Sequence, residues 1–148
     1  MKHILIIASN GSSLINFRLN LIKDLVGKGH KVSVASPKTN LPKNFQKVLQ
    51  NLNIKIHNFS LSSTGLNILK DFLSCVQIYK IINNSKPDII ISYTIKPVIY
   101  TGLILMFLKK IIYYPMITGL GYAFIDRHSI KHKILKYLTF NLYKLALK

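Results

Sequence analysis

Apolar residues recur along this chain in two alternating rhythms, and the alternation predicts an α/β fold. Residues 4–8 form an unbroken apolar run, the pattern of a strand covered on both faces. Residues 9–13 are a polar turn rich in helix-capping types, and over residues 14–28 Ile15, Leu19, Ile22, Leu25 and Val26 fall at helical spacing. Gly29 stops that helix, Val32 and Val34 mark a second strand over residues 31–36, and Pro37 ends it. Phe45, Val48, Leu49 and Leu52 suit a short second helix, while residues 54–59 alternate as a strand at the sheet's margin, with His57 read as a surface residue. A third helix spans residues 66–83, with Leu69, Phe72, Leu73, Val76, Tyr79 and Ile82 in phase, and Pro87-Asp88 opens a strand at residues 89–91. Residues 98–108 make a fourth helix, residues 111–114 a fifth strand, and residues 130–147 a basic amphipathic helix with Ile134, Leu138, Leu142 and Leu145 on one side.

Five strands, each trailed by a helix, imply right-handed crossovers and a Rossmann-like, doubly wound parallel sheet in the order 3-2-1-4-5, a single domain over residues 1–148. In that order the winding reverses between the first and fourth strands, and a ligand crevice opens outside their carboxyl ends. Three polar segments share the rim: the turn at residues 9–13, a loop at residues 93–97 and a loop at residues 118–122. From the turn, the backbone amides of Asn10, Gly11, Ser12 and Ser13 stand at a helix N-terminus suited to a diphosphate or to other negative charge, with Arg18 one turn further in. Thr94 and Lys96 are the candidates of the second loop, Lys96 as a phosphate contact. Thr118, Gly119, Gly121 and Tyr122 are those of the third, where the glycines let backbone approach a ligand closely.

Composition narrows the chemistry. At 148 residues and 49% hydrophobic content the chain buries one core. Lys and Arg number 21 against four acids, a formal charge of +17 that draws phosphates, acidic lipids or nucleic acid; abundant Lys, Ile and Asn is also what AT-rich coding favours, so two explanations of the basicity stand. Cys75 is the only cysteine, which excludes an internal disulfide and fits a reducing cytosol. The N-terminus reads as a strand and not as a leader, and residues 98–108, the most apolar stretch, are too short to span a bilayer. A nicotinamide fingerprint is excluded because residues 9–13 hold only one glycine, and no Walker loop is present. With Asp24, Asp71, Asp88 and Asp126 the only acids, a paired-carboxylate mechanism is hard to build; His128 and His132 lack a third metal ligand, so no metal is expected.

Taken in order, Asn16-Phe17-Arg18, Gly29-His30-Lys31-Val32, Tyr93-Thr94-Ile95-Lys96-Pro97 and Thr118-Gly119-Leu120-Gly121-Tyr122-Ala123-Phe124 resemble the N-terminal domain of family 4 glycosyltransferases. The likeness is nearest to the bacterial branch that builds capsule, O-antigen and lipid-linked oligosaccharides. It implies half of a GT-B fold, with this domain binding the sugar acceptor and a C-terminal domain, expected to be absent here, binding the nucleotide-sugar donor. It further implies retaining, metal-independent transfer to a lipid-linked or polysaccharide acceptor, without a cofactor, by a protein lying peripherally on the inner face of the cytoplasmic membrane. The family's glutamate pair belongs to the second domain, and where many relatives carry a histidine after the fifth strand this chain has Thr118-Gly119, so no catalytic residue is carried over. Two alternatives stand beside this: a non-catalytic or split half that needs a separate donor-binding chain, and a basic nucleic-acid-binding module.

Overall fold

The structure, a computed structural model, describes residues 1–37, 43–62, 67–108, 110–119, 124 and 129–147, the side chains of residues 43–45, 131 and 132 excepted. Strands β1 (His3–Ala8), β2 (Lys31–Pro37), β3 (Lys55–Phe59), β4 (Ile89–Tyr93) and β5 (Ile112–Met116) alternate with helices α1 (Gly11–Gly27), α2 (Lys43–Asn51), α3 (Ile68–Ser85), α4 (Ile95–Leu105) and α5 (Ile130–Ala146). All pairings are parallel and the order is β3-β2-β1-β4-β5, as the periodicity predicts. Central β1 shows why its run is continuous. Ile4 and Ile6 pack with Leu14 and Ile22 of α1 on one face, while Leu5 and Ile7 pack with Ile78 and Ile82 of α3 and Val98 of α4 on the other.

Two boundaries differ from expectation in a way that matters for the rim. Helix α4 begins at Ile95 rather than at residue 98, because Pro97 falls in the first turn, where its missing N–H has no partner to lose. Strand β4 runs on through Tyr93, so the loop expected at residues 93–97 is Thr94 alone. His57, expected at the surface, is half-buried, and its Nε2 has no partner among the described residues. Burial lowers its pKa, with smaller contributions from the charges of Lys55 and His3.

Helix α5 docks on α4 where side chains are smallest. A Cβ on Gly102 would run into the Ala146 carbonyl oxygen and lie 2.6 Å from the Ala146 Cβ. Tyr113 of β5 ties the same layer together, its hydroxyl donating to the Val98 carbonyl at 2.8 Å and lying 2.6 Å from Ser92 Oγ. On the α1 side of the sheet, Ile112 and Tyr114 of β5 are exposed. The Ile112 N–H donates to the carbonyl of Asp88, the residue just before β4, so by alternation the backbone groups of Tyr113 and Pro115 face the other edge, to which Pro115 brings no N–H.

Candidate functional site

The carboxyl ends of β1 and β4 are adjacent, Ala8 standing opposite Tyr93, and the chain leaves them in opposite directions. Asn10 caps α1: its side-chain oxygen accepts the Ser12 N–H at 2.9 Å, and its carbonyl accepts both the Ser13 N–H and the Ser13 hydroxyl. The α1 terminus is thus closed on itself through Asn10, with the amides of Ser12 and Ser13 already engaged. Ser13 Oγ also lies 3.0 Å from the Tyr93 hydroxyl, which joins the first rim segment to the end of β4.

Tyr93, read from the sequence as the first residue of the second rim loop and not as a ligand contact, is the joint of the rim. It is buried, and the Arg18 guanidinium lies over its ring, 5.0 Å from the centroid. Arg18 Nη1 donates to the neighbouring Phe17 carbonyl, its Nε is buried without a partner, and no carboxylate lies within ion-pair distance among the described residues. The signal that points to Tyr93 is its place as the last residue of a buried strand, where a phenol needs a partner for its hydroxyl.

Burial pushes the Tyr93 phenol up to about 12, while the Ser13 hydrogen bond and the Arg18 charge pull the other way. A phenol raised above its unfolded value near 10 favours the folded state below pH 10 and gives that stability up as pH climbs through about 12. Urea midpoints measured from pH 9 to pH 12 should therefore fall more steeply for the wild type than for Tyr93→Phe, the difference amounting to roughly 2 kcal/mol. Parallel slopes for the two proteins would show that Tyr93 does not titrate out of the fold.

Thr94 follows with φ +72°, a left-handed angle that costs a β-branched residue about 1–3 kcal/mol, and its buried Oγ1 has no partner among the described residues. It makes no side-chain cap for α4. The first-turn amides of Ile95 and Lys96 therefore lack the side-chain acceptor that Asn10 supplies at α1, and the positive end of the α4 dipole stands at the rim. Lys96, read from the sequence as a ligand contact, is ion-paired: its Nζ lies 2.7 Å from Asp71 Oδ1, with side chains 19% and 14% exposed. The second Asp71 oxygen accepts the Asn67 N–H, so one carboxylate fastens the first turn of α3 to that of α4. Asp71 was missing from the expected set, although it is one of only four acids in the chain.

Thr118 and Gly119 are exposed two and three residues past β5, whose Met116 stands beside Tyr93; Gly119 takes φ +155°. Gly121 and Tyr122 lie outside the described residues, as does His128, and nothing is described of the His132 side chain. The structure thus links Asn10, Ser13, Arg18 and Tyr93 by direct contact, while Lys96 is drawn to α3. No group of three metal-ligating side chains occurs among the described residues. A separate shallow cavity of about 290 Å³ on α5, lined by Phe124, Lys133, Lys136, Tyr137 and Phe140, shares no residue with the rim.

Among solved structures the chain is similar to Acinetobacter baumannii MurG, with a TM-score of 0.58 at 15% identity, over 91% of this chain and 39% of that one. It is similar also to CalG4, the calicheamicin glycosyltransferase, with a TM-score of 0.59 at 12% identity over 93% of this chain and 37% of that one. A deacetylase of the teicoplanin biosynthesis pathway shares the fold, with a TM-score of 0.56 at 12% identity over 95% and 83% of the two chains. At these identities the likeness shows the fold, which hosts more than one chemistry. The chain spans about two fifths of the length of MurG and of CalG4. No curated protein matches the sequence. The family model described as glycosyl transferase 4-like matches residues 3–148, and the chain belongs to that family.

Proposed function

We propose that this domain binds the sugar acceptor in a glycosyl transfer whose nucleotide-sugar donor is held mainly by a second domain facing it. The observation that carries the reading is the Ser13–Tyr93–Arg18 joint at the reversal of winding, in a chain of glycosyltransferase family. Arg18, without a carboxylate among the described residues, and the α4 dipole beside it suit a diphosphate. The acceptor is then a lipid-linked saccharide or polysaccharide of the capsule, O-antigen or lipopolysaccharide kind, transfer is retaining, and no cofactor is used. No described helix is long and apolar enough to cross a membrane. A lipid-linked acceptor would bring the domain to an anionic inner-membrane surface, where its +17 charge is favourable.

Calorimetry separates the roles. UDP- and GDP-sugars should bind the 148-residue chain no tighter than about 1 mM, and no sugar should be transferred. A short-chain polyprenyl diphosphate carrying one sugar should bind, and Arg18→Met should weaken it by roughly tenfold. Micromolar affinity for a nucleotide-sugar, or turnover by the chain alone, would place the donor here and overturn the reading.

A second reading, a half completed by a separate donor-binding chain, is favoured by β5. Among the described residues its outer edge has no partner strand and its Ile112 and Tyr114 are exposed on the α1 side, whereas all-parallel sheets are ordinarily covered on both faces.

A further inference from the structure

Helix α5 is apolar on two opposite sides. Thr139, Tyr143 and Ala146 are buried, with Ala146 set against Gly102 of α4. On the other side Ile130, Ile134, Tyr137, Leu138 and Leu145 are exposed, Ile130 at 76% and Tyr137 at 70%. Their helical spacing keeps these five residues in one stripe about 22 Å long, half a turn away from the buried side. Asn141 falls within the stripe and turns its amide back to the Tyr137 carbonyl at 2.9 Å. A surface helix ordinarily shows one apolar face, to its own core, and a helix apolar on both sides is covered on both. The exposure of the stripe means that no described element of this chain covers it.

The surroundings of the stripe select its occupant. Beside Tyr137 lies the cavity of about 290 Å³ lined by Phe124, Lys133, Lys136, Tyr137 and Phe140, a hollow with aromatic walls and ammonium groups at its margin. Such a hollow takes one fixed apolar side chain, the anchor of a polypeptide interface. Lys133 and Lys144 are exposed on the same helix. The described acids Asp24, Asp71 and Asp88 are paired with Lys28, Lys96 and Lys2, all away from α5, so the charge around the stripe is positive. A second copy of this chain would bring its own lysine row against the first, at +17 apiece, and is disfavoured. Nucleic acid would use the charge and leave Ile134 and Leu138 in water. A bilayer would take the stripe but presents no fixed side chain to the cavity, and a single amide within an apolar seam is a feature of helix pairs, where it sets register. An acidic helix with an apolar face meets every one of these features: its apolar face covers the stripe, a large residue enters the cavity, and its carboxylates reach the lysines.

We infer that the outer face of α5 is the docking surface for an acidic amphipathic helix of a partner polypeptide. The proposal goes beyond the acceptor reading and is independent of it, since no rim residue takes part. Fluorescence anisotropy with three labelled synthetic 21-residue peptides tests it on the 148-residue chain. One peptide carries Leu and one Phe at helical spacing with Glu elsewhere, the second has the same composition in scrambled order, and the third has Lys in place of Glu. The first should bind with a Kd on the order of 10 μM, and the scrambled and basic peptides at least about tenfold more weakly. Ile134→Ser/Leu138→Ser should weaken the first peptide by roughly tenfold, while Ile68→Ser/Phe72→Ser, a change of equally exposed apolar residues on α3, should stay within about twofold. Lys133→Glu/Lys144→Glu should reverse the preference between the acidic and basic peptides, and this pair of exposed positions keeps the test open if circular dichroism shows the first variant to be unfolded. Equal binding of the ordered and scrambled acidic peptides, or loss with the α3 variant and not the α5 variant, would overturn the proposal. So would a wild-type dimer in sedimentation, or flotation on phosphatidylglycerol vesicles, that Ile134→Ser/Leu138→Ser abolishes, because a second copy or a bilayer would then be the occupant.

Discussion

Gly102→Ala should lower the stability of this domain by about 3 kcal/mol, although the same change inside an ordinary helix raises it by about 1 kcal/mol. The reason is the α4–α5 contact: the added methyl would occupy the space of the Ala146 carbonyl oxygen, a backbone atom that cannot swing aside. Helix α5 must then lift from α4, uncovering Tyr143 and Thr139. Thermal denaturation should show a fall in Tm of roughly 6–12 °C, and hydrogen exchange should speed up in α5 before the sheet. Ala146→Gly in the same chain should recover part of the loss by removing the Ala146 Cβ from the contact. A Tm that rises with Gly102→Ala would mean that α5 is not held at this distance.

The second large effect is expected at the ion pair. Lys96→Met leaves the Asp71 carboxylate with the Asn67 amide and the Tyr100 hydroxyl as its partners and no cation, and should cost about 2–3 kcal/mol, below the figure for a fully buried pair because both side chains retain some exposure. Asp71→Asn should cost less, since the freed ammonium can turn to solvent. Lys96→Met/Asp71→Leu should approach the wild type, so that a cycle of urea midpoints closed with Asp71→Leu gives a coupling of at least about 2–3 kcal/mol. Strict additivity would show that the two groups do not stabilise the fold through each other. Tyr100 reports the same pair spectroscopically: burial, and then its hydrogen bond to the Asp71 carboxylate, hold its phenol well above the ordinary range, so Asp71→Asn should bring its titration down.

Periodicity made the sheet legible because burial on both faces leaves unbroken apolar runs, as in residues 4–8, and amphipathic helices between them. Strand order followed from right-handed crossovers combined with a sheet wound in both directions so that helices cover both faces. The rim was legible as a place and less so as a set of side chains. Lys96 could be seen to open a helix, but its partner lies 25 residues away on another helix, and no local pattern encodes that meeting. Tyr93 was placed in the rim loop but not among its candidates, because its role depends on Ser13, 80 residues earlier, which lies at its hydroxyl. The α4 boundary was misplaced by assigning Ile95 to Pro97 to the rim loop, when a proline in the first turn costs the helix no hydrogen bond.

The reversal of winding that opens the crevice also sets an order in time. Strands β1, β2 and β3 lie within residues 3–59 and can pair as soon as they leave the ribosome, with α1 and α2 packing on one side. The other edge of β1 must wait for β4, because Ile4 pairs with Ile89 across a separation of more than half the chain. During that interval Ile4 to Ala8, the most buried segment of the finished domain, offers an unpaired strand edge and a bare apolar face to whatever is near. The geometry that gives the mature domain its binding cleft therefore also gives the nascent one its period of greatest exposure to misassembly.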